Sequence, residues 1–371
     1  MPLDIASVMH EVGPEFAARA ARHDEEDLFV ADNFAILKER GILRAAVPAE
    51  LGGGGAEHRD LAEMLRALAR YCGSTALALS MHTHQVTTLV WRWRRDPRGP
   101  VEMLLRDVAA ENLVLVSSGG SDWIAGSGKA ERVDGGWRIT ARKVFASGVP
   151  IGDVLVTSAI WDDPADGPVV LHFPLSLRTA GVSVLDTWRV LGMRGTGSHD
   201  IAINGAVVPE AAIIARRPPG RWHLVFHVIS LLAIPLIYSV YLGVAEAARD
   251  MALDRARGRR DGQDVSYVVG EMENELATAR FAHRDMLEAV ATVAPGEQAT
   301  NRVMTGRAVL ARAAIRAVAK AMDVAGGAGF YRDFGLERRF RDVQAARFHP
   351  LQEMAQLRYA GRMALGLDIN G

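Results

Sequence analysis

Four residues in this sequence carry side chains that could move protons or hold polar atoms at a site. His349 lies in "RDVQAARFHPLQE", His82 and His84 lie in "SMHTHQVTT", and Ser147 lies in "KVFASG". Imidazole has a reference pKa of about 6.5, so it can give or take a proton near neutral pH. A serine hydroxyl both donates and accepts hydrogen bonds. Residues two apart on a helix point in different directions, so at most one of His82 and His84 should line a given site.

His349 is followed by Pro350 in a region that otherwise has helical periodicity. Proline has no backbone N–H and clashes with the preceding turn, which costs about 3 kcal/mol or more inside a helix. We therefore expect a helix to end at this point, with His349 at the turn. Each candidate also has an ordinary structural explanation: a satisfied histidine in the core or on the surface, or a serine that precedes a turn glycine.

The composition limits the classes of function. The chain has 371 residues, 49% of them hydrophobic and 23% charged, which predicts two or three subdomains packed into one body. Its formal net charge of -1 gives no general attraction to nucleic acid or to an anionic membrane. The single cysteine, Cys72, excludes an internal disulfide framework. The N-terminus shows no signal peptide, so we expect a cytoplasmic protein; no metal site is expected.

Three regions with different periodicity must position these residues. Residues 1–111 have apolar residues at helical spacing, as in "EFAARAARHDEEDLFVADNFAILKERGIL". Residues 112–215 contain short runs rich in Val, Ile and Thr, with a hairpin signal in "RVDGGWRI". Helical spacing returns in residues 216–371. The pattern predicts an α+β protein with an N-terminal helical domain, a middle antiparallel β-barrel or sandwich domain, and a C-terminal helical bundle.

One segment is apolar enough to raise the question of a membrane. Residues 224–245, "LVFHVISLLAIPLIYSVYLGVA", contain no formal charge apart from His227, and about 20 apolar residues can cross a bilayer. His227, Pro235, two serines and two tyrosines dilute the run, and a bundle also needs a helix that is apolar on all sides. We therefore expect a buried core helix and no membrane span.

Several local segments, in this order, resemble the acyl-CoA dehydrogenase superfamily of flavoproteins. "LKERGILRAAVPAELGGGG" is similar to the signature of that family's first domain. "GGSDWIAGSGKAERVDGGWRITARKVFASG" resembles its flavin-binding strand pair, and "WRVLGMRGTGSHDIAINGAVVPE" resembles the strand that closes its middle domain. The resemblance extends over about 300 residues. It implies the three-domain fold, with a four-helix bundle at the C-terminus, and a bound flavin.

The resemblance also implies which residues hold the flavin. Ser147 matches the hydroxyl residue that hydrogen-bonds flavin N5, and Phe145 matches an aromatic residue beside the ring system. Arg259 matches an arginine that reaches the pyrophosphate of a neighbouring subunit's FAD, although the family's following aromatic-Gly pair is absent here. The other implied cofactor-binding residues are Ser117, Ser118, Gly326 and Gly327. Shared sites of this kind imply a homo-oligomer, a dimer of dimers.

The glutamate base of a typical acyl-CoA dehydrogenase has no counterpart in this chain. Alignment of "RDVQAARFHPLQE" places Pro350 at the usual position, and the second position that the family uses falls near Ala233 and Ile234. General-base assistance contributes about 10² to 10⁴ in rate. Its absence argues against efficient acyl-CoA dehydrogenation.

The sequence is more similar to the two-component flavin monooxygenases of the same superfamily. That branch has a histidine in the segment of the glutamate, a serine beside N5, and a histidine on an N-terminal-domain helix. His349, Ser147 and either His82 or His84 match this set. The resemblance implies reduced FAD, or FMN supplied by a partner reductase, and oxygen transfer to a small molecule through a C4a-hydroperoxide. An imidazole near its reference pKa would supply the proton.

Three interpretations of the function stay open at this point. The first is a monooxygenase of a small aromatic, heterocyclic or amino-sugar-like compound. The second is an FAD-dependent acyl-CoA or acyl-thioester dehydrogenase with a non-standard base. The third is a scaffold subunit of the same fold that has lost its chemistry. A nucleic-acid partner is not expected in any of them.

Overall fold

The N-terminal part of the chain forms helices where apolar residues recur every three to four positions. The computed structural model describes residues 5–97, 100–118, 120, 123–257 and 265–371. The helices of this part are α1 (Ile5–Glu25), α2 (Ala31–Glu39), α3 (His58–Tyr71), α4 (Gly73–Trp93) and α5 (Pro100–Glu111). In α3, Leu61, Leu65 and Leu68 lie on one buried face. This helical region matches the prediction.

The middle of the chain forms one sheet. Its strands are β1 (Leu115–Ser117), β2 (Lys129–Val133), β3 (Gly136–Lys143), β4 (Val154–Asp163), β5 (Gly167–Ser176), β6 (Val182–Leu185), β7 (Asp200–Pro209) and β8 (Ala215–Arg217). The strand order is β6-β7-β3-β2-β4-β5-β8, and β1 pairs with β4. The hairpin predicted at Asp134-Gly135 is present, with Val133 opposite Gly136 and Gly135 at a φ of 71°.

The sequence predicts a fully antiparallel sheet, but two of the observed strand pairings are parallel. β1 runs parallel to β4 over three residue pairs, Leu115–Val154 to Ser117–Val156. β2 also meets β4 in parallel, at Lys129 and Ile160. The remaining pairings are antiparallel. The difference arises because α5 delivers the chain to β1 from the helical domain, and a strand that enters in this way is free of hairpin geometry.

The C-terminal part is a helical bundle built around one long apolar helix. Its helices are α6 (Leu224–Arg257), α7 (Ser266–Thr292), α8 (Glu297–Ala325), α9 (Leu336–Val343) and α10 (Glu353–Ala364). By length and composition α6 could cross a membrane, but 94% of its most apolar window is buried inside the protein. It packs against α7 and α8 on one side and against α3 and α4 on the other. The prediction of a core helix is confirmed.

The helix that precedes His349 ends where the sequence predicts an interruption. α9 stops at Val343, a short 3-10 turn covers Gln344–Arg347, and α10 begins only at Glu353. His349 and Pro350 therefore lie in an irregular segment between two helices. Since such a segment has no helical hydrogen bonds to lose, the proline is accommodated there without the penalty of a helix interior.

Gly243 in α6 lets the backbone of α3 approach closely. A Cβ atom at this position would lie 2.2 Å from the Arg66 carbonyl oxygen. We expect Gly243→Ala to destabilise the protein by about 1–3 kcal/mol, because the two helices must move apart. Gly270→Ala is the matched control, since a Cβ there meets nothing within 4 Å and should stabilise α7 by about 0.5–1 kcal/mol. Urea unfolding measures both; equal effects would contradict the close approach.

Candidate functional site

A large cavity lies where the three parts of the chain meet. Its volume is about 790 Å³, which is within the range of about 300–1,000 Å³ that small-molecule sites occupy. The wall is formed by α4, by the middle strands and their loops, by the first half of α6, and by the segment that follows α9. Most lining side chains are apolar. The three regions identified in the sequence therefore contribute to one site.

His84 on α4 lines this cavity. Its Nε2 lies 3.1 Å from Nε2 of Gln85, which can only donate, so His84 Nε2 accepts. The other ring nitrogen, Nδ1, then carries the proton and donates to the Ser80 carbonyl at 3.1 Å. Burial outweighs this hydrogen bond and lowers the pKa of His84 to about 4. His84 is therefore a neutral imidazole at neutral pH.

His82 does not line the cavity. It is buried between the helical domain and the sheet, with Nε2 2.7 Å from the Leu43 carbonyl and with Nδ1 accepting the Leu115 N–H at 3.0 Å. Burial lowers the pKa of His82 to about 4. Both ring nitrogens are used within the protein, and the geometry gives His82 a structural position between α4 and β1. Of the two candidate histidines, only His84 faces the cavity.

His349 also lines the cavity, and its ring is held by Tyr241 of α6. The Tyr241 hydroxyl contacts Nε2 of His349. A phenol O–H is a stronger donor than an imidazole N–H, and an imidazole nitrogen is a stronger acceptor than a phenol oxygen, so we assign the Tyr241 hydroxyl as the donor to Nε2. His349 therefore carries its own proton on Nδ1, and no hydrogen bond within the described chain occupies that atom. The histidine presents an N–H donor toward the cavity.

The electrostatics of His349 differ from the sequence-based expectation. Burial, with smaller contributions from Arg307 and His84, lowers the pKa of His349 to about 3. The expectation of an imidazole that titrates near 6.5 is therefore corrected: the structure keeps this ring uncharged at neutral pH. Burial likewise raises the pKa of Tyr241 well above its usual value. His349 and Tyr241 are therefore both uncharged at neutral pH, and the hydrogen bond between them joins two neutral groups.

The neutrality of His84 gives a test by pH. We expect the turnover of the His84→Gln variant, divided by that of the unmodified protein, to be constant from pH 5.5 to 8. The reason is that histidine and glutamine are both uncharged over this whole range when the imidazole pKa is about 4. The measurement is the pH–rate profile of both proteins in the same buffers. A ratio that changes around pH 6.5 would show that His84 titrates there.

Both positions at which the sequence resemblance predicts a glutamate base lie in the cavity wall. Pro350 follows His349 on one side, and Ala233 and Ile234 of α6 contribute on another. Within the described part of the chain, Asp96 is the only carboxylate in the wall, and it is exposed. Asp96 follows the end of α4 at Trp93. That helix end is about 14 Å from His84 along the helix axis. The interior of the cavity has no carboxylate base among these residues.

Hydroxyl groups and an aromatic ring form the sheet side of the cavity. Ser117, Ser118, Phe145 and Ser147 all contribute to the wall. The Ser118 and Thr157 hydroxyls are 2.7 Å apart. Phe145 is 52% exposed and adopts a φ of 57°, which is rare for a bulky residue and is typical of functional sites. These four residues, which were predicted to bind a cofactor, are brought together on one side.

Trp188 provides a separate test of whether a flavin fits. Its indole packs edge-on to Phe145, with ring centroids 6.0 Å apart. The indole N–H is buried and has no hydrogen-bond partner in the described structure, yet Trp188 lines the cavity. A buried donor without a partner is rare and indicates a missing acceptor. A flavin offers ring carbonyls and ring nitrogens as acceptors, so the residues present fit that group.

The remaining predicted cofactor residues lie elsewhere. Arg259 is outside the described residues. Gly326 and Gly327 form the start of a short turn after α8 and are not part of the cavity wall. The neighbouring Phe330 and Tyr331 are 85% and 72% exposed. The geometry of a single chain thus separates this turn from the cavity.

Sequence reasoning missed several residues of the site. Tyr241 lies inside the apolar run, where a lone tyrosine signals little beyond a need for one hydrogen-bond partner. Trp188, Thr196 and Ser198 lie in the segment "WRVLGMRGTGSHD", whose resemblance to the family does not by itself give them roles. The three hydroxyls of Ser147, Ser198 and Thr196 form a buried chain. Only the tertiary contact between two loops reveals it.

The fold and site can now be compared with known proteins. Sequence profiles of the acyl-CoA dehydrogenase N-terminal domain and C-terminal domain match residues 6–95 and 236–353. An amino sugar nitrososynthase, RubN8 of Streptomyces rubradiris, is 32% identical, and the alignment covers 96% of this chain and 88% of that protein. A putative acyl-CoA dehydrogenase, YdbM of Bacillus subtilis, is 29% identical over 91% of each chain.

A solved structure gives the same picture in three dimensions. KijD3, in complex with FMN and dTDP-3-amino-2,3,6-trideoxy-4-keto-3-methyl-D-glucose, superposes with a TM-score of 0.90. It is 29% identical, and the match covers 98% of this chain and 94% of that one. The similarity therefore includes the helical domain, the sheet and the bundle.

Proposed function

Because this chain belongs to the acyl-CoA dehydrogenase superfamily, we propose that it is a two-component monooxygenase within that group. It is a flavin-dependent oxidoreductase, with similarity to nitrososynthases as well as to dehydrogenases. In the proposed reaction, one atom of O₂ enters the substrate and the other leaves as water. The two electrons needed come from reduced flavin that a separate reductase supplies.

The lack of a carboxylate base carries this proposal. Dehydrogenation of a thioester requires removal of an α-proton, which a glutamate performs in the family. Here His349-Pro350 and Ala233-Ile234 occupy the two positions, and both pairs contribute to the cavity wall. His349, with a pKa of about 3, is a weak base. The residues present are poorly suited to proton removal from carbon.

The same residues suit oxygen transfer. His349 can hold a hydrogen-bond donor toward a bound oxygen atom without bringing a charge into the cavity, and Tyr241 fixes the tautomer that provides it. Apolar side chains of α4 and α6 exclude water, which protects a reactive oxygen species from decay. The proposal includes transfer by way of a flavin C4a-hydroperoxide. Ser147 and Phe145 are the residues that would orient the flavin.

Amine-bearing sugars are the proposed substrate class. RubN8 is named an amino sugar nitrososynthase, and KijD3 is solved with an amino sugar linked to dTDP. The cavity of about 790 Å³ is large enough for a flavin ring and a small ligand together. FAD and FMN are both compatible with the residues described. Nitrogen oxidation of an amino sugar is thus preferred over oxidation of an aromatic or heterocyclic compound.

The proposal extends to assembly and location. We propose a cytoplasmic homotetramer, a dimer of dimers, in which the turn at Gly326-Gly327 and the exposed rings of Phe330 and Tyr331 meet a second subunit. Large exposed aromatic side chains beside a glycine turn are typical of a covered surface. Arg259 would reach the partner's flavin in that assembly. Light scattering of Phe330 variants, which measures the molar mass in solution, would test the proposed assembly separately from the proposed reaction.

An acyl-CoA dehydrogenase is the second candidate, and the similarity to YdbM favours it. A single experiment separates the candidates. The protein is mixed anaerobically with reduced FMN or FAD and a dTDP-linked amino sugar, and is then exposed to ¹⁸O₂. Incorporation of ¹⁸O into the product supports the monooxygenase. Tightly held FAD that bleaches when acyl-CoA is added contradicts it. Absence of both signals points to a scaffold without chemistry.

A further inference from the structure

Three hydroxyl groups form a buried chain in the wall of the cavity. Ser147 Oγ lies 2.7 Å from Ser198 Oγ, and Ser198 Oγ lies 2.8 Å from Thr196 Oγ1. Thr196 Oγ1 is 2.9 Å from the Met193 carbonyl oxygen. Ser147, Ser198 and Thr196 are 9%, 3% and 0% exposed, so bulk water does not compete for these bonds. All three residues contribute to the cavity wall, and Ser147 is the end of the chain opposite Met193, on the sheet side beside Phe145.

The backbone holds the chain in place. The Gly148 N–H donates to the Thr196 carbonyl at 2.9 Å, and the Ala146 N–H donates to the His199 carbonyl at 3.1 Å. These bonds lock the loop that carries Ser147 against the loop that carries Ser198. The backbone of Met193 has a φ of 55°. This conformation is unusual for a residue with a large side chain, so the surrounding contacts must maintain it. The hydroxyl separations are therefore fixed by two mutually braced loops.

The carbonyl at the inner end determines the direction of every hydrogen bond. A carbonyl oxygen only accepts, so the Thr196 hydroxyl must donate its single proton to the Met193 carbonyl. Ser198 then finds an acceptor in Thr196 and donates to it. Ser147 in turn donates to Ser198. The hydroxyl of Ser147 thus has no proton left for the cavity and offers only its lone pairs.

This direction distinguishes the two redox states of a flavin. N5 of an oxidised flavin is an acceptor, whereas N5 of a reduced flavin carries a hydrogen and donates. We propose that Ser198 is a positioning residue that holds Ser147 as an acceptor and so makes the site selective for reduced flavin. The inference rests on the proposed function, because it concerns the preference of the same site for reduced over oxidised flavin.

The test compares the affinities of the two redox states. Dissociation constants of reduced and oxidised FMN are measured anaerobically by fluorescence titration, for the unmodified protein and for Ser198→Ala. The unmodified protein should bind reduced FMN more tightly. In Ser198→Ala the Ser147 proton becomes free to donate to oxidised N5. The ratio of oxidised to reduced dissociation constants should fall by about tenfold, the effect of one net hydrogen bond.

The midpoint potential of bound FMN gives an independent readout. A tenfold fall in that ratio corresponds to a shift of about 30 mV toward more negative potential for a two-electron couple. Ser198→Thr keeps the hydroxyl and should retain the selectivity. The bond from Thr196 to Met193 involves neither residue 147 nor residue 198, so we expect the inner end of the chain to remain intact in every variant. Thermal melting checks the fold.

A double mutant shows whether Ser198 acts through Ser147. In a Ser147→Ala background, adding Ser198→Ala should leave the ratio unchanged. The same shift in both backgrounds would overturn the inference, as would a Ser198→Ala ratio equal to that of the unmodified protein. A protein that binds both redox states equally overturns the inference even if ¹⁸O enters the product. Selectivity for reduced FMN without any ¹⁸O incorporation would leave the inference standing and would contradict the proposed function.

Discussion

Replacing His349 by alanine is expected to slow substrate oxygenation by about 10² to 10³-fold, the usual cost of removing one hydrogen-bond donor aimed at a reacting oxygen. His349 Nδ1 is the candidate donor because Tyr241 already occupies Nε2. Reduced flavin should still bind, since the flavin-orienting residues lie on the sheet side of the cavity. The measurement is product formed per reduced flavin consumed, with hydrogen peroxide assayed in parallel.

Two further substitutions sharpen this prediction. His349→Asn keeps a side-chain N–H close to the position of Nδ1, so it should recover part of the lost rate. Tyr241→Phe removes the group that fixes the tautomer and should give a smaller loss than His349→Ala. If His349→Ala forms product at the normal rate and releases no extra peroxide, His349 has no part in the chemistry. Thermal melting of each variant shows whether the fold has changed.

Replacing Glu246 by alanine is expected to destabilise the protein by about 3 kcal/mol. Glu246 is 2% exposed in the middle of α6. It accepts bonds of 2.9 and 2.6 Å from Arg66 of α3 and one of 2.8 Å from Arg280 of α7. Removal of the carboxylate leaves three guanidinium groups close together: that of Arg70, whose Nη1 lies 3.7 Å from the Glu246 carboxylate, and those of the two hydrogen-bonded arginines, Arg66 and Arg280. Because both arginines retain some contact with solvent, we expect the lower end of the range for a broken buried pair.

The control for this prediction lies on the same helix. Asp254 pairs with Arg257 at the exposed end of α6, where the side chains are 76% and 72% exposed. Asp254→Ala should change the free energy of unfolding by less than about 0.5 kcal/mol. Urea unfolding at constant protein concentration measures both variants. Equal effects would mean that the buried cluster contributes no more than a surface pair.

The Glu246 cluster also predicts a response to acid. Burial alone would raise the pKa of Glu246, but hydrogen bonds and charge from Arg66 and Arg280 outweigh burial and lower it below 4.5. A carboxylate with a lowered folded-state pKa stabilises the fold above its unfolded pKa and loses that contribution as pH falls through the folded value. The stability difference between the unmodified protein and Glu246→Ala should therefore shrink when the pH falls below about 4.5.

These two predictions concern different functions of α6. Tyr241 and Glu246 lie five residues apart on the same helix: Tyr241 contacts His349 of the cavity wall, and Glu246 contacts α3 and α7. α6 therefore joins the site to the packing of the helical domain and the bundle. A loss of stability at Glu246 can consequently lower activity through the fold, whereas loss of the His349 donor should lower activity in a protein that remains folded. Thermal melting and product assays together separate the two effects.

Features that depend only on residues close together in the chain were predicted correctly from the sequence. The alternation of helical and strand-like periodicity gave the three regions, because side-chain spacing along a segment reflects which face it buries. Asp134-Gly135 predicted the hairpin between β2 and β3, since a glycine is suited to the positive φ of that turn. Pro350 predicted the interruption after α9 for an equally local reason. The parallel pairing of β1 was not predictable, because it depends on where the end of α5 places the start of β1 relative to β4.

The surroundings of the candidate residues, in contrast, depend on contacts between distant parts of the chain. His82 and His84 are alike in sequence, but only His84 reaches the cavity, because His82 is held by Leu43 and Leu115, 39 and 33 residues away. His349 meets Tyr241 across 108 residues, and Ser147 meets Ser198 across 51. The lowered pKa of His349 and the direction of the hydroxyl chain follow from these contacts. Desolvation and hydrogen-bond direction are properties of a packed environment, which no single segment of the sequence contains.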